Sequence, residues 1–318
     1  MKHFKESLVA VVIPIKNEEK VARDLLERLK SQSLLINEIV IVDGGSRDNT
    51  MSIINEYKDS LPVKLLSVSC ALPGRGRNVA IDSARCELIV STDAGCTFDN
   101  FFVEEMVRPF FEDPSVDVVY GIRLPDGKTI FEKCSVAVFY PIQLWPYVAC
   151  MAFKKYVWER VGGYPETLRT AEDYLFIKKI EKAGFKTVIN EKAKIYWRPR
   201  STIGAFFKQY YQYAKGKGQV KVDLIFHLRK LALYFAILLF CTLSFIFNTI
   251  IWGGGGCVVF ILWIGLTVKN HWKWFVEIKS IPQAYFLLPI VVLVRDWAAL
   301  LGFFVGWIQG TKENVEID

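Results

Sequence analysis

The sequence predicts an α/β domain, with a mostly parallel sheet covered by helices on both faces, followed by a transmembrane helical region. Three observations carry this. Up to about Lys230, short continuous apolar runs alternate with charged, helix-like stretches. Beyond it lie long runs such as "LALYFAILLFCTLSFIFNTII" (231–251) with no charge at all. Polar residues cluster where the early apolar runs end. With 318 residues, 52% of them hydrophobic, and a positive mean hydropathy, the chain has apolar residues beyond the needs of one ordinary core.

The elements follow in order. "LVAVVIPI" (8–15) is a continuous β-rich run, and "VARDLLERLKS" sets Val21, Leu25, Leu26 and Leu29 on one helical face. "EIVIVD" is a second strand and "SRDNTMSIINEYKD" a helix; "VKLLSV" is a strand, "RNVAIDSAR" a helix and "ELIVST" a strand. Strands that are apolar throughout, separated by helices, imply a parallel sheet buried on both faces. Ligands bind such sheets beyond the carboxyl ends of the strands.

That rule assigns one address to four polar segments: Pro14 to Glu19 ("PIKNEE"), Asp43 to Asp48 ("DGGSRD"), Gly74 to Asn78 ("GRGRN") and Asp93. Each alone is an acceptable turn by composition; four at one sheet edge make a site. The glycines of "GRGRN" do not complete a dinucleotide-binding fingerprint, because Val79 stands at the third glycine and the motif follows the third strand rather than the first.

The run 231–251 would be about 32 Å long as a helix, against a hydrocarbon core of about 30 Å. "GGGG" at 253–256 is expected to break it, and "CVVFILWIGLTV" (257–268) is short for a span. A third run, 285–308, contains Arg295 and Asp296. A charge at mid-bilayer costs about 3 kcal/mol on insertion scales, so these two are expected to pair, to face protein or to sit near an interface. Three spans are expected, or two with a re-entrant or surface helix. Arg229, Lys230, Lys269, Lys273 and Lys279 flank the runs, which by the positive-inside rule puts the amino-terminal domain on the cytoplasmic side of the cell (inner) membrane. "MKHFKESLVAVVIPI" has no small-residue cleavage site, so no secretory signal is expected. Seven cysteines, an odd number without metal-ligand spacing, suit reduced thiols.

Net charge is +7, and from 192 to 230 ten Lys or Arg face one acidic residue, interleaved with aromatics in "AFFKQYYQYAKGKGQ". Beside a membrane run this reads as a basic amphipathic segment meeting anionic lipid, each cation contributing about 1 kcal/mol. No nucleic-acid module pattern is present, and no nucleic-acid partner is expected. The expected organisation is a catalytic domain over 1–197, the basic juxtamembrane segment over 198–230, a transmembrane region over 231–309 and a polar tail over 310–318.

Taken in order, "VVIPIKNEE", "IVIVDGGSRDNT", "GRGRNVAIDSA", "STDAGC", "VGGYPE", "AEDYLFIKKIEKAG" and "YWRPR" resemble the inverting family 2 glycosyltransferases of GT-A fold. The resemblance covers roughly Leu8 to Gly218. It implies transfer of a sugar from a nucleotide-sugar donor, of UDP or GDP type, to a lipid-linked or saccharide acceptor at the membrane. It implies that Asp173, with Glu172 beside it, is the base that takes the acceptor proton. Pro14, Lys16, Asn17, Glu18, Asp43, Arg75, Arg77, Asn78, Asp93, Ala94 and Gly95 would hold the donor, with Arg75 or Arg77 approaching the diphosphate. Gly162 and Gly163 would shape the acceptor side, where Arg198, Arg200, Gln209, Gln212 and Tyr213 would meet diphosphate and acceptor.

The chain departs from the family at two places. The D-x-D metal motif is "DAG" here, so Asp93 keeps the first carboxylate and Gly95 stands at the second; Trp197 stands where some GT-A enzymes have a histidine. A divalent cation, Mg²⁺ or Mn²⁺, is left with few protein ligands, and Arg198 and Arg200 offer another way to neutralise a departing diphosphate. Of Asp99, Cys96, water and arginine as substitutes, water and arginine fit best, because Cys96 is a soft ligand ill matched to Mg²⁺. "QYYQY" (209–213) matches the Q-x-x-R-W element of processive synthases only in part, which favours single-sugar transfer. The rival expectation is a catalytically degenerate binding or scaffold protein of the same fold.

Overall fold

The computed structural model describes residues 8–139, 149–247 and 250–311. The chain forms two compact units, one drawn from 1–124 and 144–198, the other from 125–143 and 199–311. The polar tail expected at 310–318 lies, from 312 on, outside the described residues.

The first unit starts as the sequence predicts: β1 (Val9–Ile15), α1 (Glu19–Lys30), β2 (Glu38–Asp43), α2 (Thr50–Asn55), β3 (Val63–Ser67), α3 (Pro73–Ser83) and β4 (Leu88–Thr92). β5 (Cys96–Phe98), α4 (Phe102–Glu112) and β6 (Val118–Pro125) follow. The chain then enters the second unit through α5 (Ile130–Phe139) and returns for β7 (Cys150–Lys154), α6 (Lys155–Val161), α7 (Glu172–Lys182) and β8 (Thr187–Trp197).

The eight strands make one sheet in the order β3-β2-β1-β4-β7-β6-β8-β5. The first four are parallel, whereas β7 runs antiparallel to β4 and β6, and β5 antiparallel to β8. The sheet is therefore mixed, and the continuous apolar runs of β1, β2 and β4 lie in its parallel half. β1 shows why those runs are continuous: Val9, Val11, Ile13 and Ile15 join Leu25, Leu26 and Leu29 of α1 in one core cluster. Ala10 and Val12 join Ala80 and Ile81 of α3 and Phe176 and Ile180 of α7 in another. Alternate residues point to opposite faces, and both faces are covered.

The second unit is helical: α5, α8 (Ile203–Gln219), α9 (Leu224–Ile246), α10 (Ile250–Asn270), the short α11 (Trp272–Phe275) and α12 (Pro282–Gln309). A reciprocal capping box starts α5, where the Thr129 hydroxyl accepts the Glu132 amide and the Glu132 carboxylate accepts those of Lys128 and Thr129. α9 and α12 are long and apolar enough to cross a membrane, by length and composition; the apolar helix over 254–270 is shorter. The glycines at 253–256 lie inside α10 rather than breaking the run. They serve close packing: a Cβ on Gly255 would sit 3.2 Å from the Phe240 ring of α9, and one on Gly256 would sit 3.4 Å from the Ile237 carbonyl.

α8 meets α12 backbone to backbone. A Cβ on Gly302 would lie 2.2 Å from the Tyr211 carbonyl oxygen, on Gly306 2.0 Å from that of Lys215, and on Gly218 2.1 Å from that of Phe303. The basic stretch read as lying on lipid is thus a helix whose Phe206, Tyr210 and Ala214 are buried in this unit. Gly306→Leu is expected to force the two helices apart and to cost about 1–3 kcal/mol. A lower thermal midpoint of the detergent-solubilised chain, absent for a change at exposed Gly204, is the measurement that checks it.

Arg295 and Asp296 pair as expected and face protein. The buried Asp296 carboxylate accepts from Arg295 (2.8 Å), Lys230 of α9 (2.7 Å), Tyr234 of α9 (3.1 Å) and Trp263 of α10 (2.8 Å). Arg295 also donates to the Val138 carbonyl of α5 at 2.6 Å. One carboxylate so ties three apolar helices together, with every charge answered.

Candidate active site

The parallel strands end in loops that are stitched to one another. After β1, Asn17 takes a left-handed conformation (φ 54°). Its amide donates to the Ser46 hydroxyl at 2.8 Å, and its side-chain oxygen accepts the Arg47 amide at 2.8 Å. The Glu18 amide donates to the Thr50 hydroxyl at 2.8 Å. Asp43, buried at the end of β2, accepts from the amides of Gly45 and Ser46 and from the Ser46 hydroxyl. Three of about four acceptor positions on that carboxylate are thereby used in shaping the loop. Gly44 is held where a Cβ would meet the Ala71 carbonyl oxygen at 2.9 Å. Lys16 is exposed at the same edge, with Pro14 half-buried.

α3 begins at Pro73, so Gly74 and Gly76 lie in its first turn. Close backbone contact requires glycine at both positions. A Cβ on Gly74 would sit 2.1 Å from the Pro165 carbonyl oxygen, and one on Gly76 3.1 Å from the Pro14 side chain. Arg75 is exposed, and Arg77, two residues on, is buried.

The Arg77 guanidinium joins the two halves of the site. It donates to Asp93 Oδ1 at 2.7 Å, just past β4, and to Glu172 Oε1 at 3.0 Å, at the start of α7. It also lies 5.5 Å from the centre of the Tyr164 ring. Burial alone would lower its pKa, but the two carboxylates outweigh that and hold it above the usual arginine value. Burial, with the neighbouring Asp173 charge next, pushes the Glu172 carboxyl up to about 7 against the pull of Arg77. α7 opens after Ala171 at φ 74°, a left-handed conformation that costs about 1–3 kcal/mol in a residue with a side chain. Glu172 is then buried against Arg77, and Asp173 is half-buried, one oxygen accepting the Tyr174 amide at 2.8 Å.

The "VGGYPE" loop is fixed by Asn78. Its amide nitrogen donates to the Tyr164 carbonyl (2.9 Å) and to Glu166 (2.9 Å), and its oxygen accepts from Trp158 (2.9 Å) and the Tyr164 amide (2.8 Å). Gly162 and Gly163 both have positive φ, 71° and 66°, and a Cβ on Gly163 would lie 2.8 Å from Asn78 Oδ1. The geometry therefore gives Asn78 a positioning part, because its hydrogen-bonding capacity is taken up by the loop and by Trp158 of α6 before it.

At the "DAG" segment the residues do not fit a cation cradle. Asp93 already binds Arg77 through Oδ1, and a Cβ on Gly95 would meet nothing within 4 Å. The buried Cys96 thiol is pushed up to about 12 by burial and then by Asp93, so it is no thiolate. Among the described residues no group of three His, Cys, Asp or Glu is placed to hold a metal. Ala94 is buried beneath this opening. Arg200, Gln209, Gln212 and Tyr213 belong to the second unit; Gln209 there donates to the Tyr213 hydroxyl at 3.0 Å.

Sequence reasoning missed Tyr164 and Trp158 and the depth of Arg77. The signal for the last was present: Arg77 shares a helical face with Ala80, Ile81 and Ala84, at i, i+3, i+4 and i+7, whereas Arg75 does not.

Two family models match the chain: "Glycosyl transferase family 2" over residues 10–144 and "Glycosyl transferase family group 2" over 88–294. The succinoglycan biosynthesis protein ExoA of Rhizobium meliloti is 25% identical over 232 residues, 66% of this chain and 68% of that one. The poly(ribitol-phosphate) beta-N-acetylglucosaminyltransferase TarS of Staphylococcus aureus is 26% identical over 210 residues, 59% of this chain. The match spans only 35% of TarS. Among solved structures, the mannosyltransferase PcManGT from Pyrobaculum calidifontis, in complex with GDP-Man and Mn²⁺, superposes with a TM-score of 0.55 at 16% identity, covering 95% of this chain and 86% of that one. S. aureus TarS 1-349 in complex with UDP-GlcNAc does so with 0.51 at 19% identity, covering 98% and 95%. At these identities the structures share the GT-A fold with this chain.

Proposed function

Because the chain belongs to glycosyl transferase family 2, we propose that it moves one sugar, with inversion, from a nucleotide-sugar donor to a lipid-linked or saccharide acceptor at the cytoplasmic face of a membrane. The observation that carries this is the Arg77 bridge, which links Asp93 at a sheet edge to Glu172 beside Asp173. In this reading the loops after β1 and β2 take the nucleoside, and Asp93 lies on the donor side. Asp173 accepts the proton of the acceptor hydroxyl as its oxygen forms a bond to the sugar C1. The C1–O bond to the diphosphate breaks, and the electron pair leaves on the phosphate oxygen. The relatives support the donor class: TarS is solved with UDP-GlcNAc and PcManGT with GDP-Man. α9 and α12 support membrane attachment by length and composition, and α10, with glycines against α9, is read as a third embedded helix.

The test is a panel of radiolabelled UDP- and GDP-sugars offered to membranes containing the chain. One donor is expected to label a lipid-extractable or saccharide product, and membranes without the chain are not. Donor binding without transfer or hydrolysis across the panel would favour the scaffold reading instead.

A further inference from the structure

Tyr164 stands between the two helices that the Arg77 bridge connects. Its backbone is held from α3, where the Asn78 side chain accepts its amide at 2.8 Å and donates to its carbonyl at 2.9 Å. Its ring stacks on Phe176 of α7, with centres 3.8 Å apart and planes inclined by 22°. Phe176 occupies that face, so the Arg77 guanidinium, over the ring at 5.5 Å from its centre, lies on the other. All three side chains are buried. The Tyr164 hydroxyl is buried beside that of Ser91, and neither forms a well-directed hydrogen bond among the described residues.

Each contact restrains something the others leave loose. Asp93 and Glu172 hold the guanidinium by its edge, which leaves it free to tilt. An aromatic face within about 6 Å attracts the cation and limits that tilt. α7 for its part starts from Ala171 in a left-handed conformation, and a backbone so held persists only where its surroundings over-determine it. Phe176 lies four residues past Glu172 and three past Asp173, one helical turn along the same side of α7. Stacking on Phe176 therefore steadies the turn that presents both carboxylates.

We propose that Tyr164 is a positioning residue for transfer: its ring, gripped between Arg77 and Phe176, sets the first turn of α7 and so the place of the Asp173 carboxylate. The inference rests on the reading of Asp173 as the base. The ring does this rather than the hydroxyl, because a hydroxyl without a well-made partner adds little. A catalytic group misplaced by about 1 Å costs about 10²-fold in rate. The loops read as taking the nucleoside, after β1 and β2, are shaped by bonds that do not involve Tyr164. The loss therefore falls on turnover and spares donor binding.

The experiment measures kcat for the donor that labels product in the panel above, and the affinity of that donor, on the full chain in detergent. Tyr164→Leu is expected to lower kcat about 10²-fold while donor affinity stays within about threefold. Tyr164→Phe, which keeps the ring, should retain kcat within about threefold, and Phe176→Leu, which removes the backing of the ring, should lower it at least about tenfold. Phe110→Leu, in the core cluster on the opposite face of the sheet, controls for stability: it should lower the thermal midpoint and leave kcat in place. If Tyr164→Leu does not fold, Phe176→Leu against Tyr164→Phe decides. Turnover within about twofold of wild type in Tyr164→Leu and Phe176→Leu, an equal loss in Tyr164→Phe or Phe110→Leu, or a loss in donor affinity instead of kcat overturns the inference alone. Absence of transfer by wild type overturns the transfer reading and the inference together.

Discussion

Asp173→Asn is expected to lower the turnover number for sugar transfer by about 10³-fold, the middle of the range for loss of a positioned general base, while donor affinity changes less than threefold. Asparagine has the same shape and keeps an oxygen for the Tyr174 amide, so the start of α7 should be undisturbed. What it loses is the ability to take the acceptor proton. The substitution also removes the second of the two influences that raise the Glu172 carboxyl, so Glu172 should titrate lower in the variant. Steady-state transfer and donor titration on the same preparation decide the matter. Turnover equal to wild type would remove Asp173 from the mechanism.

Arg77→Met should be the most damaging single change in the first unit, costing about 3–5 kcal/mol of stability. Methionine fills much of the space but leaves Glu172 buried with no counter-charge, whereas Asp93, with a side chain 42% exposed, keeps water. Activity should vanish with it, since the link between the donor side and the helix that carries Asp173 is cut. The double variant Arg77→Met/Glu172→Leu separates the two effects: most of the stability should return, and none of the activity. The same network gives a pH signature. The folded-state pKa of Glu172, about 7, lies above the ordinary glutamate value of 4.5. Its contribution is therefore present below about 4.5 and lost as pH rises through 7. Denaturant titrations across that window should slope downward in wild type and less so in Glu172→Gln. A stability of Arg77→Met equal to wild type would contradict the bridge.

The parallel half of the fold was legible because its chemistry is local. β1, β2 and β4 carry the unbroken apolar runs Val9–Ile13, Ile39–Val42 and Leu88–Val90, and only a strand buried on both faces needs that. The antiparallel half was not. β8 is largely exposed along its length, so its residues carry no apolar period to find. The site divides the same way. Asp93 and the Glu172–Asp173 pair could be picked out at element ends, but the burial of Arg77 between Asp93 and Glu172 could not. The glycines before it lie in the same helix, kept small by Pro165 and Pro14, and a contact such as Arg77–Glu172, 95 positions apart, leaves no mark in a local pattern. Asn78 shows the same limit, since its four hydrogen bonds all go to residues between 158 and 166.

The excursion of the chain through α5 limits how the protein can be divided. A fragment ending at 198 would keep every strand and every residue of the Arg77 network, yet it would also keep α5. The Cys134, Ala137 and Val138 side chains of α5 are buried in a cluster completed by Leu288, Val291 and Val292 of α12. No single truncation point therefore yields a clean water-soluble catalytic fragment. Such a fragment would carry an uncovered apolar helix and would be prone to aggregate, unless 125–143 were replaced by a short polar linker.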